Sequence, residues 1–389
     1  MDLEDIKDGE SLSAWLDARP EATRRSDAVG VAERCALRVF PLFGLETDQS
    51  SENKQDFTAP PVLRLNLTSG VSRNYPTHGI KEAIDAARIA YADSSAASAA
   101  RAAADNALDR AVAVHLGAAS AATAAVAASR EATSDGSKAF AAPVMWEQVR
   151  QDARLLERGE DPFTVPLWSS APPNWFTQAD ARTRAIWAQD PPGTWDFWTR
   201  WWDGVLSGQQ LPWDLQEAVA LIPDAIWTQG PAAVAAEIAR IEEIHDLRQQ
   251  AAMLKQQLAQ VLAAPAFGTV DHRSHNHPPE LVDAPAEIRE SLTIIWADLD
   301  AAEKELVKPS LSGAALRRIG TALVKSAAAV LAYCGKTLDT FAQSAVKAAG
   351  GVLGLAIAAA LSAEAVLLLA KIGTFGEALL NLASRLLGG

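Results

Sequence analysis

The chain has very little cysteine: Cys35 and Cys334 are the only two in 389 residues. That excludes a disulfide framework and points to a reducing compartment. The acidic, polar opening MDLEDIKDGE has neither the basic nor the apolar region of a secretory signal, so none is expected. H-E-x-x-H, G-x-S-x-G and G-x-G-x-x-G are all missing. Gly335-Lys336-Thr337 ends like a phosphate-binding loop, but Val330 stands where its first glycine is needed. Only Val62 to Leu67 (VLRLNL) alternates in the manner of a strand, and one strand makes no sheet. The expected fold class is therefore all-α: a multi-segment helical protein with a long central helix and a C-terminal amphipathic and apolar helical hairpin.

What the chain does have is an uneven charge. The net charge is −13, yet residues 308–389 hold eight Lys and Arg against three acids, a net of +5, which leaves −18 on the other 307 residues. An acidic body argues against nucleic acid as a partner. A basic apolar tail suits anionic lipid or an acidic partner.

Within the tail (309–389), Arg318, Lys325, Lys336 and Lys347 are spaced 7, 11 and 11 apart. At about 100° per residue they fall within roughly 20° of one line on a helix. Opposite them lie Leu316, Ile319, Leu323, Ala327, Val330, Cys334, Leu338, Phe341 and Ala345. Such a helix can rest its cations on lipid headgroups and its apolar side on the acyl boundary. The same pattern also describes a surface helix packed on a core. From Ala348 to Ala363 there is no charge, and the stretch to Ala370, interrupted by Glu364, is just long enough to span a bilayer. Gly350 and Gly354 form a G-x-x-x-G pair of the kind that lets helices approach closely in lipid, and Leu355 and Ile357 are the expected insertion residues. A buried Ala/Leu core helix is the competing reading.

Upstream, a helical hairpin is expected over 1–48, then a linker over 49–77 holding the strand pattern, and Ala-rich helices over 78–135. A Trp-rich helical domain covers 143–230 and holds ten of the twelve tryptophans. Trp195, Trp198 and Trp202 share one helical face, as a core would require; an aromatic pocket for a sugar or cation is the alternative. Asp196 and Asp203 are not read as a catalytic pair. A long helix over 231–264, about 48 Å, opens with Pro231 and carries a 3- and 4-residue apolar spacing of coiled-coil type. A His/Pro linker (265–285) and a further helix (286–308) lead into the tail. In that linker His272, His275 and His277 are weak metal candidates, since structural sites usually draw ligands from separated elements. No metal and no cofactor is expected.

The run Ser274-His275-Asn276-His277-Pro278-Pro279-Glu280 resembles the G-H-N-x-P-P-E-type linker of a group of uncharacterised bacterial helical proteins, with Ser274 where the group has Gly. SLSAWLDARP near the N-terminus and WDFWTRWWDGVLSG in the Trp-rich middle are also similar to that group. The resemblance implies an architecture with an apolar C-terminal tail and no particular activity.

These features favour a non-enzymatic membrane-associated protein whose tail binds or inserts into the inner membrane as an oligomeric, membrane-perturbing effector. It would sit on the cytoplasmic face of that membrane, or in the cytoplasm. Anionic lipid and further copies of the chain are the expected partners, and no small-molecule substrate is identified. One alternative is a soluble helical scaffold or assembly protein with the tail as an oligomer interface. A second is a carbohydrate-binding or hydrolytic Trp-rich domain.

Overall fold

The computed structural model describes residues 2–44, 60–83, 116–132, 138–263, 280–308, 310–345 and 363–388. These residues are largely helical and include no strand, so the protein is all-α. The chain forms two compact units, Met1–Ile241 and Glu242–Gly389.

In the first unit, α1 (Gly9–Asp17) is capped by Asp8, whose carboxylate accepts the Ser11 amide at 2.8 Å while the Ser11 hydroxyl returns to the Asp8 backbone. This reciprocal pair satisfies amides that the first turn leaves free. Helix α2 (Glu21–Val39) completes the N-terminal hairpin and is buried continuously from Asp27 to Val39. It is therefore an axis of the unit rather than a docked appendage. Helix α4 (Leu116–Glu131) packs on α1, α2 and α5 (Lys138–Glu157). Its buried positions Ala118, Ala121, Ala122, Ala125 and Ala128 let backbones come close. A Cβ on Gly9 would stand 2.8 Å from Thr123 Oγ1 and 3.2 Å from the Ala119 carbonyl oxygen.

The strand pattern at Val62–Leu67 is corrected: these residues belong to helix α3, Pro60–Asn74. Alternation marks a strand only when one of its two faces meets water. Here both sets are buried, Leu63, Leu65 and Leu67 together with Arg64, Asn66 and Thr68. Tertiary partners make the polar burial tolerable. Arg64 pairs with Asp224 at 2.7 Å and lies over the Trp227 ring, while Thr68 Oγ1 donates to the Arg64 carbonyl at 2.5 Å. Pro60 and Pro61 also suit a first helical turn, whose amides need no intrahelical partner.

The Trp-rich stretch is a series of short helices: α6 (Asn174–Trp187), α7 (Asp196–Ser207), α8 (Trp213–Ala220) and α9 (Asp224–Trp227). Trp195, Trp198, Trp201 and Trp202 are all buried, so the core reading of these rings holds. The polar edges of three of them are met. Trp202 Nε1 donates to Asp180 and Trp195 Nε1 to Asp190, both at 2.7 Å, and Trp201 Nε1 donates to Gln216 at 3.1 Å.

A buried charge cluster ties this stretch to α2. Arg34 and Arg38 both reach Asp152 on α5 at 2.7 Å. Arg34 Nη2 also donates to the Pro166 carbonyl at 2.8 Å and Arg38 Nη2 to the Leu167 carbonyl at 3.0 Å. On the same helix Glu33 is buried, with Oε2 meeting no hydrogen-bond donor. Burial pushes its carboxyl up to about 8, against the opposing pull of the Ser69 hydroxyl.

The long helix expected from Pro231 is α10, Pro231–Ala263; its first three turns belong to the first unit and the remainder to the second. The second unit continues with α11 (Glu280–Leu306), α12 (Gly313–Ala345) and α13 (Ala363–Gly388). Helix α11 begins six residues before the boundary expected at 286. Pro278-Pro279 precede it in the sequence, as suits a helix start. The rest of the expected linker, with His272, His275 and His277, lies outside the described residues. One apolar core joins the four helices. It runs from Leu247, Leu254 and Leu258 on α10 through Leu292, Ile295 and Leu299 on α11 to the buried faces of α12 and α13.

Candidate functional site

Helices α12 and α13 form a hairpin in the tail, with Ala363–Gly388 as its second arm; the apolar arm expected from Ala348 lies outside the described residues as far as residue 362. Their neighbours fix an antiparallel pairing: Gly313 lies against Ala383 and Leu387, and Gly320 against Gly376 and Leu380. At the second crossing the two backbones touch. A Cβ on Gly320 would stand 2.7 Å from the Gly376 carbonyl oxygen, and one on Gly376 would stand 3.0 Å from the Gly320 carbonyl oxygen. Neither glycine has room for a side chain. Neither is among the helix-packing glycines expected from the sequence, Gly350 and Gly354. The available signal was a glycine on the apolar side of each helix.

The apolar face expected on α12 is buried at Leu316, Ile319, Leu323, Ala327 and Val330. Helix α13 buries Leu368, Leu369, Ile372, Phe375, Leu379 and Leu382, at 3- and 4-residue spacing. Among the described residues one helix, Ala365–Gly388, is long and apolar enough to cross a membrane, and 44% of its most apolar window is buried. The span expected from the sequence is Ala348–Ala370, of which this helix shares only residues 365–370; Lys371 and Glu377 lie beyond it. In the structure both charges face outward on α13, and the helix continues past them.

Of the cationic stripe, Arg318 and Lys325 are exposed on the side of α12 opposite its core. Arg318 lies beside two acids of α11. Burial alone would raise the carboxyl of Glu305. Lys308 at 2.5 Å, the Ser312 amide at 2.8 Å and the Arg318 charge outweigh burial and hold it below its ordinary value. Burial raises the Asp298 carboxyl, Arg318 opposes the shift, and Asp298 Oδ2 meets no donor. Lys325 makes no ion pair with any described residue. Lys336 lies in α12, but its side chain is outside the described residues, as are Lys347, Gly350, Gly354, Leu355 and Ile357 altogether.

Acidic groups on α10 and α11 meet two further cations of this unit. Arg385 on α13 bonds Glu243 on α10, and Lys255 on α10 reaches Asp300 and Glu303 on α11, both at 2.7 Å. Lys255 also stands 5.2 Å from the centre of the Trp296 ring.

Elsewhere Asp203 pairs with Arg184 at 2.7 Å, which gives it a structural partner. Among the described residues no group of three His, Cys, Asp or Glu is arranged to hold a metal. Cys35 is buried, and burial pushes its thiol up to about 12, far from nucleophilic use near neutral pH. No protein family matches the chain, and neither does any curated protein or solved structure. The class that can be stated is that of an all-α protein of two units, the second carrying a glycine-crossed C-terminal hairpin.

Proposed function

We propose that this is a non-enzymatic membrane-associated protein whose α12–α13 hairpin docks on, and then inserts into, the cytoplasmic face of the inner membrane. The observation that carries this reading is the backbone contact at Gly320 and Gly376. Close packing of small residues is the interaction that persists between helices in lipid, where the hydrophobic effect no longer draws them together. The pairing is antiparallel, so Ala345 and Ala363 lie toward the same end of the hairpin. The sequence joining those ends is uncharged from Ala348 to Ala363. Lys325, Lys336 and Lys347, in the sequence that leads into that uncharged stretch, would supply the positive charge for the first contact with anionic headgroups. The apolar faces that would meet acyl chains are covered here by α10 and α11, so insertion requires the hairpin to leave them. Assembly of several inserted hairpins would produce the membrane-perturbing effect.

The second reading, a soluble helical scaffold, draws on that same coverage: the tail faces complete a four-helix core.

One experiment separates the two. The full chain is mixed with phosphatidylcholine vesicles, with and without phosphatidylglycerol. The membrane reading expects sedimentation with the anionic vesicles only, weakening as salt shortens the screening length to about 8 Å. Leu355→Asp with Ile357→Asp should leave docking intact and abolish carbonate-resistant insertion, since each charge costs roughly 2.5–3.5 kcal/mol at a membrane centre. A chain that ignores both vesicle types, and whose melting temperature falls on those substitutions, belongs to the scaffold reading.

A further inference from the structure

The first unit holds a cavity of about 350 Å³, walled by the Pro162–Thr164 turn on one side and residues 208–213 on the other. That volume is in the range that takes a small ligand.

Its walls are fixed before any ligand arrives. Gly208 has φ +76°, and a Cβ there would stand 2.3 Å from the Val165 carbonyl carbon, so the two walls meet backbone to backbone. The Gln209 amide donates to the Gly204 carbonyl at 2.9 Å. Buried Gln216 accepts from Trp201 Nε1 at 3.1 Å and donates to the Leu211 carbonyl at 2.7 Å, which holds the start of α8. Asp161 accepts the Phe163 amide at 3.0 Å and Arg73 Nη1 at 2.6 Å. The Trp213 ring stands edge-on to Phe163 with centroids 5.8 Å apart.

The chemistry left over is specific. Asp161 is the one charged residue of the lining, and Arg73 already matches it, so the cavity offers no net charge to an ion of either sign. The Gln209 and Gln210 side chains and the Trp213 indole N–H hydrogen-bond to none of the described residues. Trp213 is half-buried and lines the space. A flat aromatic ring beside two free carboxamides suits a neutral ring compound with one C–H face and several hydroxyls. The ring takes the C–H face, and the amides both donate to and accept from hydroxyls.

We propose that this cavity binds a neutral saccharide, with Trp213 as the platform and Gln209 and Gln210 as the hydroxyl-reading groups. The site is independent of the tail and does not rest on the membrane reading.

The test uses the full chain and four probes: methyl glucoside, methyl galactoside, methyl N-acetylglucosaminide and, as a charged control, choline. Saturation-transfer NMR and calorimetry read binding. The expected result is saturable binding of at least one pyranoside, with Kd of about 1 mM as befits a single sugar ring. Gln209→Ala with Gln210→Ala, at the solvent-facing mouth, should weaken that binding tenfold or more with Tm unchanged. Trp213→Phe should retain binding and Trp213→Ala should lose it. The proposal is overturned if no pyranoside binds, if choline binds as well as the pyranosides, or if the double Gln variant binds the sugar as tightly as the parent.

Discussion

Replacing Glu33 with Gln should stabilise the first unit, and the gain should depend on pH in a way that identifies its cause. Glu33 is 1% exposed, and its Oε2 meets no donor. Burial raises the carboxyl from 4.5 to about 8. At neutral pH the folded protein therefore holds a proton that the unfolded chain has released. Taking up that proton at pH 7 costs about 3 kcal/mol, since the unfolded group lies about 2.5 units below the solution pH at roughly 1.4 kcal/mol per unit. Below pH 4.5 both states are protonated and the cost vanishes. From there to about pH 8 stability falls as pH rises, because the folded state binds more protons than the unfolded one. Above pH 8 both states are ionised and the cost is at its full value. Gln has the shape of the protonated acid and none of this dependence. Urea unfolding followed by tryptophan fluorescence is the assay, since eleven of the twelve tryptophans lie in Met1–Ile241. Glu33→Gln should be within about 1 kcal/mol of the parent at pH 5, and more stable by about 3 kcal/mol at pH 7. A stability difference that stays flat from pH 5 to pH 8 would refute the reasoning, as would a variant less stable throughout.

Asp152→Ala should be among the most damaging single changes. It strips the shared carboxylate from Arg34 and Arg38, which are 3% and 0% exposed in their side chains. The expected loss is about 3–5 kcal/mol in chemical unfolding. Gly320→Ala places a methyl 2.7 Å from the Gly376 carbonyl oxygen and forces the hairpin apart. It should cost about 1–3 kcal/mol, read as faster amide exchange in α12 and α13 with exchange in the first unit unchanged. Removing residues 309–389 uncovers Leu292, Ile295 and Leu299 on α11. The truncated chain should self-associate in analytical ultracentrifugation, and a monodisperse product would show that the tail does not complete that core.

Much of the architecture could be read from the residues because periodicity and punctuation report local preference directly. Pro231 and the apolar spacing behind it marked α10 to within a residue of its end. The opposition of Arg318 and Lys325 to Leu316, Ile319 and Leu323 placed the two faces of α12 correctly, because a helix fixes those angles whatever it packs against. Other features depended on partners distant in sequence. Helix α3 reads as a strand until Asp224, Trp227 and Asp161 are brought to its arginines, which makes polar burial on every side affordable. Gly320 and Gly376 are two unremarkable glycines 56 positions apart until an antiparallel pairing puts one backbone on the other. The Trp213 cavity exists only because Val165 and Gly208 meet. The sequence by itself determined the all-α class and, α3 excepted, the main helical segments and their apolar sides, since these follow from short-range geometry. The tertiary structure decided which faces cover one another, which buried charges find partners and where a cavity remains, because those depend on contacts between residues far apart in the chain.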